Sequence, residues 1–464
     1  MKRRTFGLMA GTSMLALMGS ERRALAQTAD ASLLKTTLTP FGSERAGNAA
    51  GTIPAWTGGL TEIPAGFTWD TQKELPPDFF ADDAMLYEVN SSNMAQYAHL
   101  LTEGLQALIQ KTGFSLQVYP TRRTHAAPQW VYDNIATNVG RAQLDAQGGR
   151  FGFHGGYGGI PFPIPDSDPL AAGAQLVYNH EARWSGTYQT TQNSTFTVSS
   201  GQVTLVNAQR SVAYYPYYDN TKTLAQYNGY FFMLGGPGQY APATVAGGQI
   251  ISYESSNHET HPDIAWQLLA GQGRVRKAPE VAFDTPSSYA DGIINYDEYY
   301  GFGQSLEEYD WKLIGKQELL MPYNNNKLFH VDPYKVHLAK FIDPKVLRWE
   351  LHRVWVVEAT LHPGERNVLA RRKLYLDEDT SVIGCVDSWD AGNNLQRHIH
   401  LANANFPNLP GNIYLNAFGY DLQTGNYLSI TGQWGTPPYN GPTTFGPVSM
   451  SWFNPQAMAA ESSY

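Results

Sequence analysis

Residues 152–165 read GFHGGYGGIPFPIP and divide the chain into two parts of different character. This Gly/Pro segment contains five Gly and three Pro, which oppose a helix, and its prolines have no N–H to give to a central strand. It therefore predicts an irregular connection whose Phe and Ile side chains pack on neighbouring elements. Helices and loops are predicted before it, and antiparallel strands after it.

The composition is that of a folded, strand-rich protein. Of the 464 residues, 42% are hydrophobic and 13% aromatic, whereas 16% are charged. The chain therefore has ample apolar material for a core. The formal net charge is −9. This acidic balance argues against nucleic acid as a partner, because phosphate binding needs many Lys and Arg contacts.

The first 26 residues have the features of a cleavable signal peptide. A basic start is followed by a modestly apolar stretch, and ALA at residues 24–26 matches a cleavage site. The sequence RRTFGL at residues 3–8 favours a twin-arginine signal over an ordinary Sec signal, and both lead to the periplasm. Cleavage would leave 27 basic and 40 acidic residues, a net charge of −13.

Cysteine usage gives two further expectations. No Cys follows the cleavage site, so we expect an exported, soluble protein without a lipid anchor. The single cysteine, Cys385, lies in the apolar sequence VIGCV and is expected to be buried.

Residues 27–184 are predicted to form an N-terminal region of loops and helices that includes the Gly/Pro segment. Apolar residues recur at intervals of three and four over 92–111, which predicts a helix. Residues 133–147 and 170–184 are two further helix candidates. We expect this region to form one integrated globular unit with residues 185–464.

From residue 188 onward the apolar period changes to two, which predicts strands. Short turns join these strands, so the predicted fold is mainly β with α (α+β), built on one wide antiparallel sheet. The tail from 405 to 453 is predicted to be loops with two more strands. The predicted strands are 195–198, 202–206, 210–218, 249–254, 263–269, 274–279, 309–319, 348–361, 371–376, 381–387 and 395–401.

Motifs for catalysis are missing from the sequence. It has no G-x-S-x-G, no Walker A, no G-x-G-x-x-G after a strand and no H-E-x-x-H. We therefore predict no catalytic residue and no cofactor. Adjacent carboxylates at 297–298 and 307–308 are expected in solvated turns. A glycosidase would need two carboxylates facing each other across a cleft, and the sequence leaves that alternative open.

Two histidine pairs have the spacing of metal ligands. His258 and His261 flank Glu259 in a loop, and His398 and His400 lie two apart on one strand. Surface histidines in a turn are the favoured interpretation of the first pair, and exposed strand residues that of the second. No metal site is predicted.

Aromatic residues in and near the predicted strands are the more informative feature. In a sheet packed on one face they would be core residues, whereas in a curved, open sheet they can line an apolar cavity. Each residue taken singly favours the core. These residues are Trp266, Phe302, Trp311, Tyr323, Trp349 and Trp355.

Several long motifs resemble those of the DUF1329 family, a family of unknown function exported by proteobacteria. They extend over nearly the whole chain after the signal. The motifs are LTPFGSERAGNAAGTIPAWTGG (38–59), VYPTRRT (118–124), GGIPFPIP (158–165), FDTP (283–286), YDWKLIGKQELLMPYN (309–324) and RWELHRVWVVEATL (348–361). The chain departs from the family pattern around 266–279, where relatives carry a more Arg-rich sequence.

The resemblance implies a fold related to the lipoprotein carriers LolA and LolB. That fold is an unclosed antiparallel β-barrel around a hydrophobic cavity, with helices over the concave face. Such a cavity would take an apolar small molecule or a lipid. The resemblance also implies an outer-membrane β-barrel partner and an RND-type exporter. It places Phe162 and Ile164 of the Gly/Pro segment at the cavity mouth, buried against strand aromatics, with the six aromatic residues above as cavity lining.

The function predicted from these observations is that of a periplasmic carrier for a hydrophobic ligand or lipid, and not an enzyme. Two alternatives remain open from the sequence. One is a carbohydrate-active hydrolase that uses a pair of carboxylates. The other is an assembly factor that docks on an outer-membrane barrel without carrying cargo.

Overall fold

The computed structural model describes residues 30–278, 283–432 and 441–461. The predicted signal peptide, residues 1–26, lies outside these residues. Within them, the α-helices are α1 (Met94–Tyr97), α2 (Glu103–Thr112), α3 (Gln129–Asn138), α4 (Pro169–Glu181) and α5 (Pro455–Glu461). None of the described helices is both long and apolar enough to cross a membrane.

Strands make up most of the regular structure. They are β1 (Tyr87–Val89), β2 (Leu116–Val118), β3 (Gln143–Leu144), β4 (Phe153–His154), β5 (Tyr188–Ser199), β6 (Gln202–Tyr214), β7 (Tyr230–Ala241), β8 (Gln249–Ser255), β9 (Ile264–Leu268), β10 (Val275–Lys277), β11 (Tyr309–Pro322), β12 (Trp349–Leu361), β13 (Arg371–Asp377), β14 (Ile383–Trp389), β15 (Leu395–Phe406), β16 (Gly411–Asp421) and β17 (Tyr427–Gly432).

Fifteen strands form one sheet, in the order β1-β2-β12-β13-β14-β15-β16-β17-β5-β6-β7-β8-β9-β10, with β11 also paired to β12. The pairings are antiparallel except for one parallel bridge between Val118 and Trp349. Within the described residues, β1 pairs with β2 alone and β10 with β9 alone, so the sheet does not close. The predicted unclosed antiparallel architecture is therefore confirmed.

The helix predicted over 92–111 is divided in two. Thr102 has an extended backbone and its hydroxyl accepts a hydrogen bond from Leu105 N–H at 3.1 Å, which begins a new helix there. The helix predicted over 133–147 is wrong beyond Asn138, because Gln143 and Leu144 pair with β4 instead. The helix predicted over 170–184 is confirmed as α4, which Asp168 caps.

Strand β7 has no counterpart among the predicted strands. Its sequence contains Gly235, Gly236, Pro237 and Gly238, which individually disfavour a strand. The pairing with β6 is interrupted by register shifts at this point, so the sheet accommodates these residues as irregularities. The separate strands predicted over 202–206 and 210–218 are one strand, β6, followed by a 3₁₀ turn at Pro216–Tyr218.

Two helices cover opposite faces of the sheet. Neighbouring residues of a strand point to opposite faces, so the core cluster that each residue joins shows which helix covers which face. Helix α4 lies directly on β11, where a Cβ at Gly173 would stand 2.5 Å from the Trp311 carbonyl oxygen. The hydrophobic core cluster that contains α4 also includes Val386 of β14. The adjacent residue Cys385, buried as predicted, belongs to the cluster that contains α2. Helix α4 supplies the expected cover on one face, and α2 covers the other.

The Gly/Pro segment is fixed to the helices by side-chain amides. Asn179 of α4 accepts from Phe162 N–H at 2.8 Å and donates to the Phe162 carbonyl at 2.7 Å. Asn138 at the end of α3 donates to the Gly159 carbonyl at 2.8 Å. The irregular backbone thus finds its hydrogen-bond partners in side chains, as a buried segment without regular structure must.

A largely buried ion network joins distant parts of the chain. It comprises Arg123, Lys316, Arg353, Glu378, Asp379 and the exposed Glu44. Arg123 donates to both carboxylate oxygens of Asp379 at 2.8 and 2.6 Å, and to the Glu44 carbonyl at 2.7 Å. The Arg123 and Asp379 side chains are 2% and 4% exposed. Burial disfavours the charged carboxylate, but the hydrogen bond and positive charge of Arg123, with smaller contributions from Ser43 and His352, together outweigh it and lower the pKa of Asp379.

Strands β11 and β12 take part in the same network. Lys316 of β11 lies 2.8 Å from both Glu44 and Glu378. Arg353 of β12 lies 3.2 Å from Glu378. The network therefore fastens the N-terminal loop around residue 44 to two long strands and to the turn between β13 and β14.

Replacing Arg123 should destabilise the protein strongly. We expect Arg123→Met to lower the free energy of unfolding by about 3–5 kcal/mol, because Asp379 would stay buried without its partner. Urea denaturation followed by tryptophan fluorescence measures this. Arg122→Met is the matched control: its ion pair with Asp83 is 46% exposed on the arginine side, and we expect a cost within about 1 kcal/mol. Equal losses in both variants would contradict the network's role.

Candidate ligand-binding cavity

A cavity of about 1190 Å³ lies against the sheet. Leu401 of β15, which lines it, belongs to the same core cluster as α4, so the cavity is on the α4 side. Its volume is slightly above the usual range of small-molecule sites, roughly 300–1,000 Å³. The cavity is therefore large enough for an extended ligand.

Two rows of register-paired residues cross the sheet and form the cavity floor. The first row is Leu401, Ala417, Ile430, Thr195 and Asn207, on β15, β16, β17, β5 and β6. The second is Gln189, Ala213, Leu234, Ser252 and Ala265, on β5 to β9. All of these residues except Ala213 line the cavity. The pairing register alone thus places them on one face.

The sheet must curve around this cavity. Strands β15 and β9 both line it, although six strands lie between them in the sheet order. In a flat sheet, with strands about 4.8 Å apart, they would be separated by roughly 34 Å. The α4 side is therefore the concave face that an unclosed barrel requires.

Residues 283–308 form a second wall that is not part of the sheet. Arg372 of β13 donates to Asp297, and Arg397 of β15 donates to Glu298. The expectation that this carboxylate pair lies in a solvated turn is wrong: both side chains are buried, because each has an arginine partner from the sheet. Tyr296, Tyr299, Tyr300, Ser305 and Glu307 of this segment line the cavity.

The floor is apolar at both sides and polar in the middle. Leu401, Ala417 and Ile430 make one apolar side, and Phe232, Leu234 and Ile250 on β7 and β8 make the other. Between them, β5 and β6 present only uncharged hydrogen-bonding side chains. This polar strip consists of Gln189, Thr191, Asn193, Thr195, Asn207 and Gln209.

Charged groups gather near one end of the cavity. His258 Nε2 lies 3.2 Å from Asp263 Oδ1. Burial disfavours the imidazolium, but Asp263 outweighs it and raises the pKa of His258 to about 9. The Arg183 guanidinium lies over the Tyr300 ring, 5.0 Å from its centroid. These cations balance part of the carboxylate charge that surrounds them.

Two glutamates in this charged group titrate near neutral pH. Burial, with the nearby carboxylate of Asp263 and that of Glu254, raises the pKa of Glu181 to about 8. Burial likewise raises the pKa of Glu254 to about 7, again with Asp263 nearby. Glu254 lines the cavity and is exposed to it. Both carboxyl groups are thus largely protonated below neutral pH.

None of the eight residues predicted to line a cavity belongs to the lining of this one. Phe162 is buried and meets Phe153 of β4 edge-on at 5.7 Å, and Ile164 is half-buried in the same core cluster. Phe302 and Trp311 contact each other at 4.6 Å in that cluster, where Trp311 supports α4.

The other four predicted residues have different surroundings. Trp349 is fully buried in the α2-side cluster. Tyr323 stacks on the His352 ring at 4.0 Å. The Trp355 ring lies under the Lys316 ammonium at 4.3 Å. Trp266 faces away from the cavity, because its neighbours Ala265 and Gln267 on β9 face into it. These aromatics are packed in the core or covered by other groups.

The polar strip was missed from the sequence, although a signal for it exists. Residues 185–209 contain no Asp, Glu, Lys or Arg. The two strands of this hairpin have no charged side chain, yet they are rich in Gln, Asn and Thr. They therefore resemble neither ordinary core strands nor ordinary solvated strands. The alternation Gln189-Thr191-Asn193-Thr195 identifies the cavity face once the neighbouring strands are known.

The structure places the two histidine pairs in different surroundings. No group of three or more ligand side chains able to hold a metal occurs in the described ranges. His261 is exposed, as the turn interpretation predicts, but His258 is half-buried against Asp263. The interpretation of His398 and His400 as exposed strand residues is wrong. Both are fully buried beneath α2, and His398 is 2.8 Å from Asp387.

Comparison with known proteins gives a family and distant structural likenesses. The family model described as "Protein of unknown function (DUF1329)" matches residues 88–459. "Uncharacterized protein PA3922" of Pseudomonas aeruginosa is 32% identical over 438 residues, which cover 91% of each chain.

Two crystal structures are also similar. A DUF1329 family protein from Desulfovibrio piger aligns with 63% of this chain and 100% of its own, at 13% identity. A putative outer membrane lipoprotein-sorting protein domain from Vibrio parahaemolyticus aligns with 62% and 99%, at 12% identity. Both TM-scores are 0.43, so the likeness adds nothing to the description of the cavity.

The raised pKa of Glu181 predicts a stability change with pH. Below its ordinary pKa of 4.5 the carboxyl is protonated in both folded and unfolded chains. Between 4.5 and about 8 only the unfolded chain ionises, so wild-type stability falls as pH rises. We expect Glu181→Gln to gain ~1–3 kcal/mol relative to wild type between pH 5 and pH 8.

Urea denaturation at pH 5, 6.5 and 8 measures the difference. The control is Glu62→Gln. Glu62 is exposed, and its position in the chain is far from those of the residues that line the cavity. A constant difference between Glu181→Gln and wild type across this range would show that Glu181 ionises normally.

Proposed function

We propose that this chain, which belongs to the DUF1329 family, binds a hydrophobic or amphiphilic molecule in the cavity and carries it through the periplasm. The observation that supports this is the cavity itself. A curved sheet and an anchored loop enclose about 1190 Å³, and apolar side chains from six strands line it. A cavity of this size with an apolar floor is suited to an acyl chain.

The apolar floor can supply the binding energy. Each buried methylene contributes ~0.8 kcal/mol, so a chain of about twelve carbons would gain roughly 10 kcal/mol before the cost of association. Loss of translational and side-chain freedom removes a large part of this gain. With a cost of about 4 kcal/mol the net gain is about 6 kcal/mol, which corresponds to a Kd of tens of micromolar, weak enough for a carrier that must release its cargo.

Transport through the periplasm and transfer to a partner are part of the same proposal. The twin-arginine-like sequence at residues 3–8 supports export. The family resemblance supports an outer-membrane β-barrel protein or an RND-type exporter as the donor or acceptor. An assembly factor that docks on such a barrel without cargo is the competing proposal. Recovery of the barrel together with an empty cavity would favour it.

One observation favours a hydrolase as a second candidate. Glu254 has a pKa raised by burial to about 7 and borders the cavity near Asp263, as a general acid with a carboxylate partner would. We propose that these groups do not act as catalysts. Incubation with chromogenic glycosides and acyl esters is expected to give no turnover; activity lost in Glu254→Gln would establish the enzyme instead.

A cavity-filling variant tests the proposed carrier. We expect wild type to bind N-phenyl-1-naphthylamine, a probe that fluoresces in apolar sites. Ala417→Trp places an indole on the apolar floor and should weaken binding at least about tenfold. Ile314→Trp is the control, since Ile314 is 50% exposed on β11 and lies outside the cavity lining. It should change binding by less than about twofold.

Failure to bind the probe would overturn the proposal, provided circular dichroism shows folded protein. Equal weakening by both tryptophans would place the binding site elsewhere. A native mass spectrum of the protein purified without detergent tests the same point independently, and is expected to show a bound apolar molecule.

A further inference from the structure

The polar strip has a feature that a purely apolar ligand does not explain. Gln189 is 6% exposed, and its Nε2 has no hydrogen-bond partner among the described residues. A buried amide N–H without a partner costs about 1–3 kcal/mol. Gln189 lines the cavity, in register with Leu234 and Ser252 of the floor. A buried donor without a partner therefore lies in a residue of the cavity floor, and a ligand acceptor that reached it would remove this cost.

Neighbouring groups hold the amides of the strip in place. Tyr215 donates its hydroxyl to Gln189 Oε1 at 3.3 Å, so Nε2 is the atom of this amide that lacks a partner among the described residues. Gln239 donates to Asn207 Oδ1 at 2.8 Å. Both acceptor oxygens are thus occupied, while the strip retains N–H and hydroxyl groups.

The strip is long and carries no charge. It follows β5 from Gln189 to Thr195, about 20 Å at 3.4 Å per residue, with Asn207 and Gln209 beside it on β6. Residues 185–209 contain no acidic or basic residue. Phosphate and carboxylate groups are bound by Arg and Lys, which the strip lacks. Amides and hydroxyls both donate and accept, and so match hydroxyl groups.

Two aromatic rings lie beside the strip. Tyr215 and Phe232 line the cavity with ring centroids 5.2 Å apart. Tyr300 also lines it and is 43% exposed. Their faces offer apolar surface to the C–H side of a ring, while the amides meet its hydroxyls. Uncharged hydrogen-bonding groups and aromatic faces occur together in this part of the cavity.

From this combination we infer that the ligand is an amphiphile with an uncharged, hydroxyl-rich head group of the sugar or polyol class. The head group lies on the polar strip, and the apolar chain lies over Leu401, Ala417 and Ile430. This inference rests on the proposed carrier function and names the chemical class of its cargo.

Three competitors with the same dodecyl chain separate the head group from the tail. Dodecyl maltoside, dodecylphosphocholine and 1-dodecanol are each used, below their micellar or solubility limits, to displace N-phenyl-1-naphthylamine from the full-length mature protein. We expect the maltoside to displace the probe at a concentration at least about tenfold lower than the phosphocholine.

Gln189→Leu should remove that preference. The maltoside should lose about tenfold or more in affinity, whereas 1-dodecanol should stay within about twofold. Gln202→Leu is the matched control, because it makes the same change at an exposed position on the same hairpin. Thr191→Val, which preserves shape and strand propensity, provides a second test should Gln189→Leu not fold; it should lower maltoside affinity about threefold or more.

The outcomes distinguish the two proposals. If no dodecyl compound displaces the probe, and the probe itself does not bind, the carrier function is wrong. If all three compounds compete equally, or phosphocholine competes best, the carrier function stands and the sugar-type head group is wrong. A maltoside preference unchanged in both Gln189→Leu and Thr191→Val would also overturn the assignment to the polar strip.

Discussion

The buried ion pair between Arg123 and Asp379 is the interaction on which the arrangement of the chain depends. A buried pair repays its desolvation only when further hydrogen bonds satisfy its remaining atoms, and here backbone carbonyls of the N-terminal loop do so. Lys316 and Arg353 extend the network into β11 and β12. Several of the motifs that identify the family contribute to it, so the resemblance describes this junction more directly than the cavity.

Strand β13 connects the ion network to the cavity wall, and β15 joins that wall to the floor. Strand β13 ends at the turn that carries Asp379, and its Arg372 holds Asp297 of the loop wall. Strand β15 contributes Leu401 to the floor and Arg397 to the wall. The wall formed by residues 283–308 is therefore positioned by ion pairs from the sheet. This explains how a cavity can be enclosed without closing the barrel.

The residue types alone did not show which side chains line the cavity. Large aromatic side chains bury the most apolar area, so the folded chain packs them against other groups. Trp311 lies beneath α4, and Trp349 lies in the α2-side core. The cavity is lined by other aromatic residues, such as Tyr215 and Tyr300, together with smaller residues such as Ala417 and the amides of β5 and β6. On β9, Gln267 faces the cavity and the preceding residue, Trp266, faces away from it, because successive side chains of a strand point to opposite faces.

The sequence by itself determined the strand-rich class, most strand positions, helix α4 and the irregular Gly/Pro connection, because periodicity, capping residues and backbone restrictions act over a few neighbouring residues. It also determined the family, through long contiguous motifs. Only the tertiary structure decided which face of each strand meets the cavity, which carboxylates are buried beside arginines, and that β15 and β9 border one space. These features depend on pairing between segments up to hundreds of residues apart, and local pattern contains no information about register across such distances.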